Sequence, residues 1–271
     1  MQSSASRSWR TVGLLVVGMV LSACGGGSEP PAESGQGTQP APPVTAAEPG
    51  APAGTAGASG TASVSGTVDF EGSVPRLRPL QMDADPGCLK KHSEPVLPEF
   101  LVLGEDNLLA NVFVRVKSGL PDGTYAPPAE PVVLDQRGCR YVPHVTGAVV
   151  GQKFKILNSD GLLHNVHSLA EKNPQFNRAM PASVAEAEFT FDSEEIMFRI
   201  KCDVHPWMNA FVGVVPHPYF AVTGLDGGYS LAGLPAGTYE IEAWHERLGT
   251  QTETVSIEDG ETVRTDFTFV K

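Results

Sequence analysis

From residue 64 onward the chain is a succession of short runs that alternate apolar with polar or small residues, each cut off by Gly, Pro or Asp. Residues 64–70 (Val-Ser-Gly-Thr-Val-Asp-Phe) set the pattern. Residues 111–116, 149–158, 188–191, 196–201 and 210–215 repeat it, and β-branched and aromatic side chains fill them. No long stretch keeps a 3.6-residue period. Residues 182–187 have room for one short helical turn at most. Many short strands with frequent turn signals predict an all-β chain built as sandwiches or barrels.

The first 61 residues do not share this pattern. Arg7 and Arg10 precede an apolar run over residues 12–21, too short for a permanent membrane span. The run ends in Leu21-Ser22-Ala23-Cys24, which resembles the bacterial lipoprotein cleavage signal. That resemblance implies a leader over residues 1–23, removal of which leaves Cys24 as a lipidated N-terminus. It also implies an extracytoplasmic location, in the periplasm or at the cell surface. Gly25 stands where an aspartate commonly retains such proteins at the inner membrane, which favours the outer one. Residues 24–61 are nearly all Gly, Pro, Ala, Ser, Thr and Glu and read as a flexible tether. The formal charge of −12 argues against nucleic acid and against anionic membrane as direct partners. Any membrane contact is then through the lipid anchor only.

The chemistry concentrates in Lys201-Cys202-Asp203-Val204-His205-Pro206-Trp207-Met208. Thiolate, imidazole and thioether fall within seven residues, so one tight loop aims all three at a point. Thiolate and thioether suit Cu(I), and imidazole suits both copper states. Two histidines and a cysteine with a weak axial methionine make the blue-copper donor set. Zinc fits worse, because methionine is a poor zinc ligand. A second histidine stands upstream in Leu163-His164-Asn165-Val166-His167, after a strand-like run.

This pair of segments, over about residues 140–215, resembles the cupredoxin family, in particular its amicyanin-like and plastocyanin-like members. The resemblance implies a Greek-key β-sandwich with one type 1 copper ion. His164, Cys202 and His205 would be the equatorial ligands and Met208 the axial one. Asn165 would tie the two ligand loops together and hydrogen-bond toward the Cys202 sulfur. His205 would be the electron exit, its exposed edge collared by Pro206, Trp207 and Phe211. His167, two residues beyond His164, belongs on the opposite strand face. It replaces His164 only if the register shifts.

Residues 223–257 change texture. Thr223 to Leu231 reads as a strand, an Asp-Gly turn and a strand, and the run from Gly228 to Tyr239 resembles the carboxypeptidase regulatory-like (transthyretin-like) sandwich. Such modules are structural. The segment is short for a sandwich and needs a further strand, for which residues 64–70 are the candidate. The expected domains are therefore residues 62–216 for the copper domain with an insertion near residues 75–98, and 217–271 for the second module.

Cys88 and Cys139 remain once Cys24 and Cys202 are assigned. In an oxidising compartment they read as a disulfide. A second metal site from Cys88, His92, Cys139 and His144 is the alternative. His217 and His245 read as structural. No Gly-x-Ser-x-Gly, His-Glu-x-x-His or P-loop pattern is present, so the chain is not expected to be an enzyme. The leading expectation is single-electron transfer between redox partner proteins. Copper buffering or delivery, and a surface scaffold with a structural metal, are the alternatives.

Overall fold

The computed structural model describes residues 60–271. The leader, Cys24 and the tether up to residue 59 lie outside the described residues. In chain order the elements are β1 (Ala62–Glu71), α1 (Pro86–Leu89), β2 (Phe113–Ser118), β3 (Val132–Gln136), β4 (Tyr141–Val142), β5 (Val145–Val149), β6 (Lys153–Asn158), β7 (His164–Ser168) and β8 (Asn177–Met180). There follow β9 (Glu186–Thr190), β10 (Glu195–Lys201), β11 (Asn209–Val215), β12 (Phe220–Val222), β13 (Gly228–Leu234), β14 (Gly237–His245), β15 (Gly249–Ile257), β16 (Thr262–Arg264) and β17 (Phe267–Val270). The all-β expectation agrees with this architecture.

The run expected over residues 149–158 is two strands. It breaks at Gly151, whose φ of +79° L-residues rarely adopt. Val150 and Gly151 turn the chain from β5 into β6.

Strand pairing sorts the elements into two sandwiches. In the first, a sheet ordered β13-β1-β16, with β17 also on β1, faces a sheet ordered β12-β2-β14-β15. Strand β1 alternates buried and part-buried residues along almost its whole length, as one face turned to a core requires. Val64, Val68 and Phe70 from β1 meet Val114 and Val116 of β2, Tyr239 and Ile241 of β14, and Phe267 and Phe269 of β17. Full burial of such side chains stabilises by roughly 1.5–3 kcal/mol each.

The second sandwich faces β5-β11-β10-β7-β8 against β4-β3-β6-β9. Leu134, Tyr141, Phe154, Ile156, Val166, Met180, Phe198, Ile200 and Val212 fill its core, together with Cys202 and Met208.

The boundary expected at residues 216 and 217 is therefore not where the strands divide. Strand β1 joins the C-terminal strands, as expected for residues 64–70, and β2, placed above in the copper domain, joins them too. The pairing gives the reason: β1 supplies the central strand of its sheet, with β13 antiparallel and β16 and β17 parallel to it. The second sandwich is an insertion between β2 and β12.

A third apolar cluster joins the two. Phe113 of β2 and Phe220 of β12 stack at 5.5 Å between ring centroids and pack onto Val145, Val149 and Val215. Two paired glycines, Gly147 of β5 and Gly213 of β11, make room for the rings. A Cβ on Gly147 would lie 2.3 Å from Phe220, and one on Gly213 would lie 2.8 Å from Phe113.

Residues 72–112 form the insertion between β1 and β2. Its one turn of helix, α1, begins in Asp85-Pro86. Asp85 Oδ1 accepts the N–H groups of Gly87 at 2.7 Å and Cys88 at 3.3 Å, a side-chain N-cap, and Pro86 fits the first helical position.

Candidate metal centre

The loop from Cys202 to Met208 closes on its own backbone. Met208 N–H donates to His205 C=O at 2.9 Å, and Cys202 N–H donates to Met208 C=O at 3.1 Å. The loop thus presents Cys202 and His205 from the end of β10 toward the start of β7, where His164 stands. His164 is 0% exposed, His205 and Met208 1% and Cys202 2%, so the whole donor set lies out of water.

One donor atom from each of His164, Cys202 and His205 lies within 4.8 Å of the others. His164 Nδ1 faces His205 Nδ1 at 3.0 Å, and Cys202 Sγ lies 3.8 Å from His205 Nδ1. What aims the rings is a carboxylate behind each. His164 Nε2–H donates to Asp160 Oδ2 at 3.0 Å, and His205 Nε2–H donates to Asp85 Oδ2 at 3.0 Å. With each Nε2 carrying its proton, the two Nδ1 lone pairs are left pointing at one another beside a sulfur. Buried lone pairs facing each other repel, so the pocket draws in one positive charge there, either a proton on His164 Nδ1 or a metal cation in its place. The donor set fits a soft or borderline metal ion, copper above all.

The electrostatics run the same way. Burial works against charging Cys202, but hydrogen bonding from His164 and from the Asn165 N–H, 3.5 Å from Sγ, outweighs it and holds the thiol below its ordinary value. Burial also opposes a charge on His164. The hydrogen bond to Asp160 and the neighbouring Cys202 overcome it and raise the imidazole to about 9. Asp160 itself is pushed up by burial but held down more strongly by His164 and by the N–H groups of Cys139 and Gly138. These N–H groups donate to it at 2.7 and 2.8 Å. Asp85 is lowered chiefly by His205 and then by the Gly87 N–H.

Asn165 links the segment of His164 to the loop of Cys202. Its Oδ1 accepts the Asp203 N–H at 2.5 Å, and its Nδ2 donates to Asn177 Oδ1 at 2.5 Å. His167 stays away from the centre and pairs with Asp203 at 2.9 Å. Three groups escaped the sequence reading. Asp160 and Asp85 are the ring-orienting carboxylates. Tyr141 is a buried phenol whose O–H donates to Asn165 C=O at 2.6 Å and lies 3.2 Å from Lys201 C=O, clamping β7 to β10. For Asp160 a signal existed, since it precedes His164 by four residues in a loop. For Asp85 and Tyr141 there was none.

The expected exit edge of His205 requires correction. The ring is not exposed: the insertion folds over it, setting Asp85 on Nε2 and Cys88 Sγ 3.5 Å from the same nitrogen. Cys88 and Cys139 are joined in a disulfide, which pins α1 there. The collar is also different. Trp207 lies against His205 at 5.1 Å and Pro206 is exposed, but Phe211 packs at 5.3 Å against Trp244 in the cluster joining the sandwiches. The alternative site of Cys88, His92, Cys139 and His144 is not assembled. His92 Nε2 bonds Gly138 C=O at 2.8 Å, and His144 bonds Asn209 C=O at 3.1 Å and Glu246 at 2.5 Å. His217 and His245 are buried against the rings of Tyr219 and Phe269.

No family model matches this chain, and no curated protein matches it. Among solved structures it is similar to a copper-containing nitrite reductase from Thermus scotoductus SA-01, at 19% identity and a TM-score of 0.29. That alignment covers 36% of this chain and 25% of the reductase chain, so the chain spans about a quarter of that relative. It is similar to an amicyanin variant in the Cu(I) state, at 20% identity and a TM-score of 0.28, over 37% of this chain and 97% of amicyanin. It is also similar to a purple cupredoxin from Nitrosopumilus maritimus, at 21% identity and a TM-score of 0.27, over 31% of this chain and 98% of that one. These likenesses cover between 31% and 37% of the chain, and the donor geometry stands on the side chains described above.

Proposed function

We propose that this chain is an extracytoplasmic type 1 copper protein that carries single electrons between redox partner proteins and is not itself an enzyme. His164, Cys202 and His205 would hold the ion, with Met208 as the axial group. The observation that carries this reading is the pair of carboxylate-oriented imidazoles whose Nδ1 atoms meet 3.0 Å apart beside the buried Cys202 thiol. Copper would supply a one-electron couple. The chain would supply a rigid, dry cage that changes little between its two states. The loop hydrogen bonds, Asn165 and Tyr141 support that rigidity.

Electrons would enter and leave through the cover made by α1 and the disulfide, not from a bare imidazole edge. That cover also favours an ion that stays in place over one handed on, so electron transfer ranks above copper delivery. We assign the first sandwich a structural role. We further propose that Cys24 carries the lipid anchor and that the acidic domain works outside the cytoplasm, with the outer membrane as the favoured host.

Loading purified protein with Cu(II) tests the central claim. An intense blue or green colour from thiolate-to-copper charge transfer is expected, and Cys202→Ser should abolish it. A colourless Cu(II) complex in the unmodified chain refutes the reading.

A further inference from the structure

His205 sits between two sulfur groups. Its Nδ1 faces Cys202 and its Nε2 faces Cys88. Cys88 and Cys139 are bonded to each other, the Cys88 sulfur lies 3.5 Å from His205 Nε2, and all three residues are buried. A disulfide whose only task was to staple the insertion could stand anywhere along residues 72–112. This one touches the ligand ring. Its cover is thin: α1 is four residues long, Pro86 on it is exposed, and Leu89 is 54% exposed. Cys88 and Cys139 are themselves 0% exposed, so an attacking thiolate must first displace this turn.

We propose that Cys88 and Cys139 form a second, Cu(I)-selective site that is closed while they are bonded and opens when a dithiol reduces them. The reductant supplies two electrons and two protons. The Cys88–Cys139 S–S bond breaks, two thiols form, and the reductant becomes a disulfide. Cu(I) then displaces both thiol protons to solvent and is held between two thiolates, its preferred soft ligands. His205 keeps its Nε2 proton, held by Asp85 Oδ2 at 3.0 Å, with the Cys88 sulfur beside it at 3.5 Å. The site therefore shares a ring with the first centre without taking a ligand from it. It would let the protein take up a second ion only under reducing conditions.

Copper stoichiometry on the full chain, with Cys24→Ser throughout, decides the matter. Protein is treated with or without a phosphine reductant, desalted under argon, loaded with Cu(I) against a chromogenic Cu(I) chelator, and assayed by elemental and thiol-alkylation mass spectrometry. Unreduced wild type should hold one copper and reduced wild type two. Cys202→Ser should hold none unreduced and one reduced. The paired Cys88→Ser and Cys139→Ser variant should hold one in both states. One copper in reduced wild type overturns the proposal, and so does a disulfide that resists the reductant in the folded protein. No copper in unreduced wild type, with one in reduced Cys202→Ser, would sink the electron-transfer reading and keep this one.

Discussion

Asp160 is 8% exposed, yet it takes three N–H donors besides facing the Lys91 ammonium at 3.5 Å. Its charge is compensated by this crowd of donors, so its removal is felt mainly by His164. Asp160→Asn keeps the shape but loses the charge that fixes the His164 tautomer. Copper retention against a competing chelator should fall about 10–100-fold, as for other groups that orient metal-binding histidines. Unchanged retention would mean that loop packing alone aims the ring. Tyr141 is the second residue worth testing. Burial is the first cause that raises its phenol far above the ordinary range, so it remains a donor at any working pH. Tyr141→Phe strands two backbone carbonyls and should cost about 1–2 kcal/mol in urea unfolding, with the copper-free protein showing the loss as fully as the loaded one.

At the scale of strands, the contact between the sandwiches depends on two missing side chains. Gly147→Val would drive a branched carbon into the Phe220 ring, and repacking a tight core around such an intrusion costs typically about 1–3 kcal/mol. The melting temperature should drop, and Phe220→Ala in the same chain should recover part of the loss. If Gly147→Val melts like wild type, the two sandwiches do not rely on this contact. The ligand loop was legible in the sequence because Cys202, His205 and Met208 are neighbours there, and spacing alone states what they can do. Most strands were legible for the same reason, since alternation is local. The membership of β1 was legible: the C-terminal module was short of a strand and residues 64–70 were the candidate, as the pairing of β1 with β13, β16 and β17 shows, although nothing local fixes contacts 199 positions away. The cap over His205 was invisible, because Asp85 meets the ring across 120 positions and its only local signature is that of an ordinary helix start. The placement of Phe211 was lost to the same cause. An aromatic three residues past Met208 looks like part of the loop until strand direction turns it to the other face.

For the molecule as a whole, acid stability follows from two histidines that have no part in the metal centre. Burial is the main cause that lowers both His217 and His245 to about 4. Both are nearly solvent-free, at 6% and 1% exposure. In the unfolded chain each takes up a proton near 6.5, so between 6.5 and 4 the unfolded state binds more protons and stability falls with falling pH. The loss is about 3 kcal/mol per histidine at most, fully developed near pH 4. His144 behaves in the opposite sense. Burial lowers it, but Glu246 and Glu99 raise it more, so its contribution is complete below 6.5 and fades as pH climbs through the raised value. Urea midpoints from pH 7 to 4.5 should decline in the wild type and flatten in the paired His217→Gln and His245→Gln variant. An equally steep decline in that variant would place the acid sensitivity elsewhere.

The order of strands along the chain also sets a timetable. Among the described residues the strands that pair with β1 are β13, β16 and β17, so during synthesis β1 has no strand partner until residues from 228 onward arrive. Everything between β2 and β12 can close first, so a nascent chain halted before residue 228 would already have folded its second sandwich while leaving the inward face of β1, with Val64, Val68 and Phe70, bare.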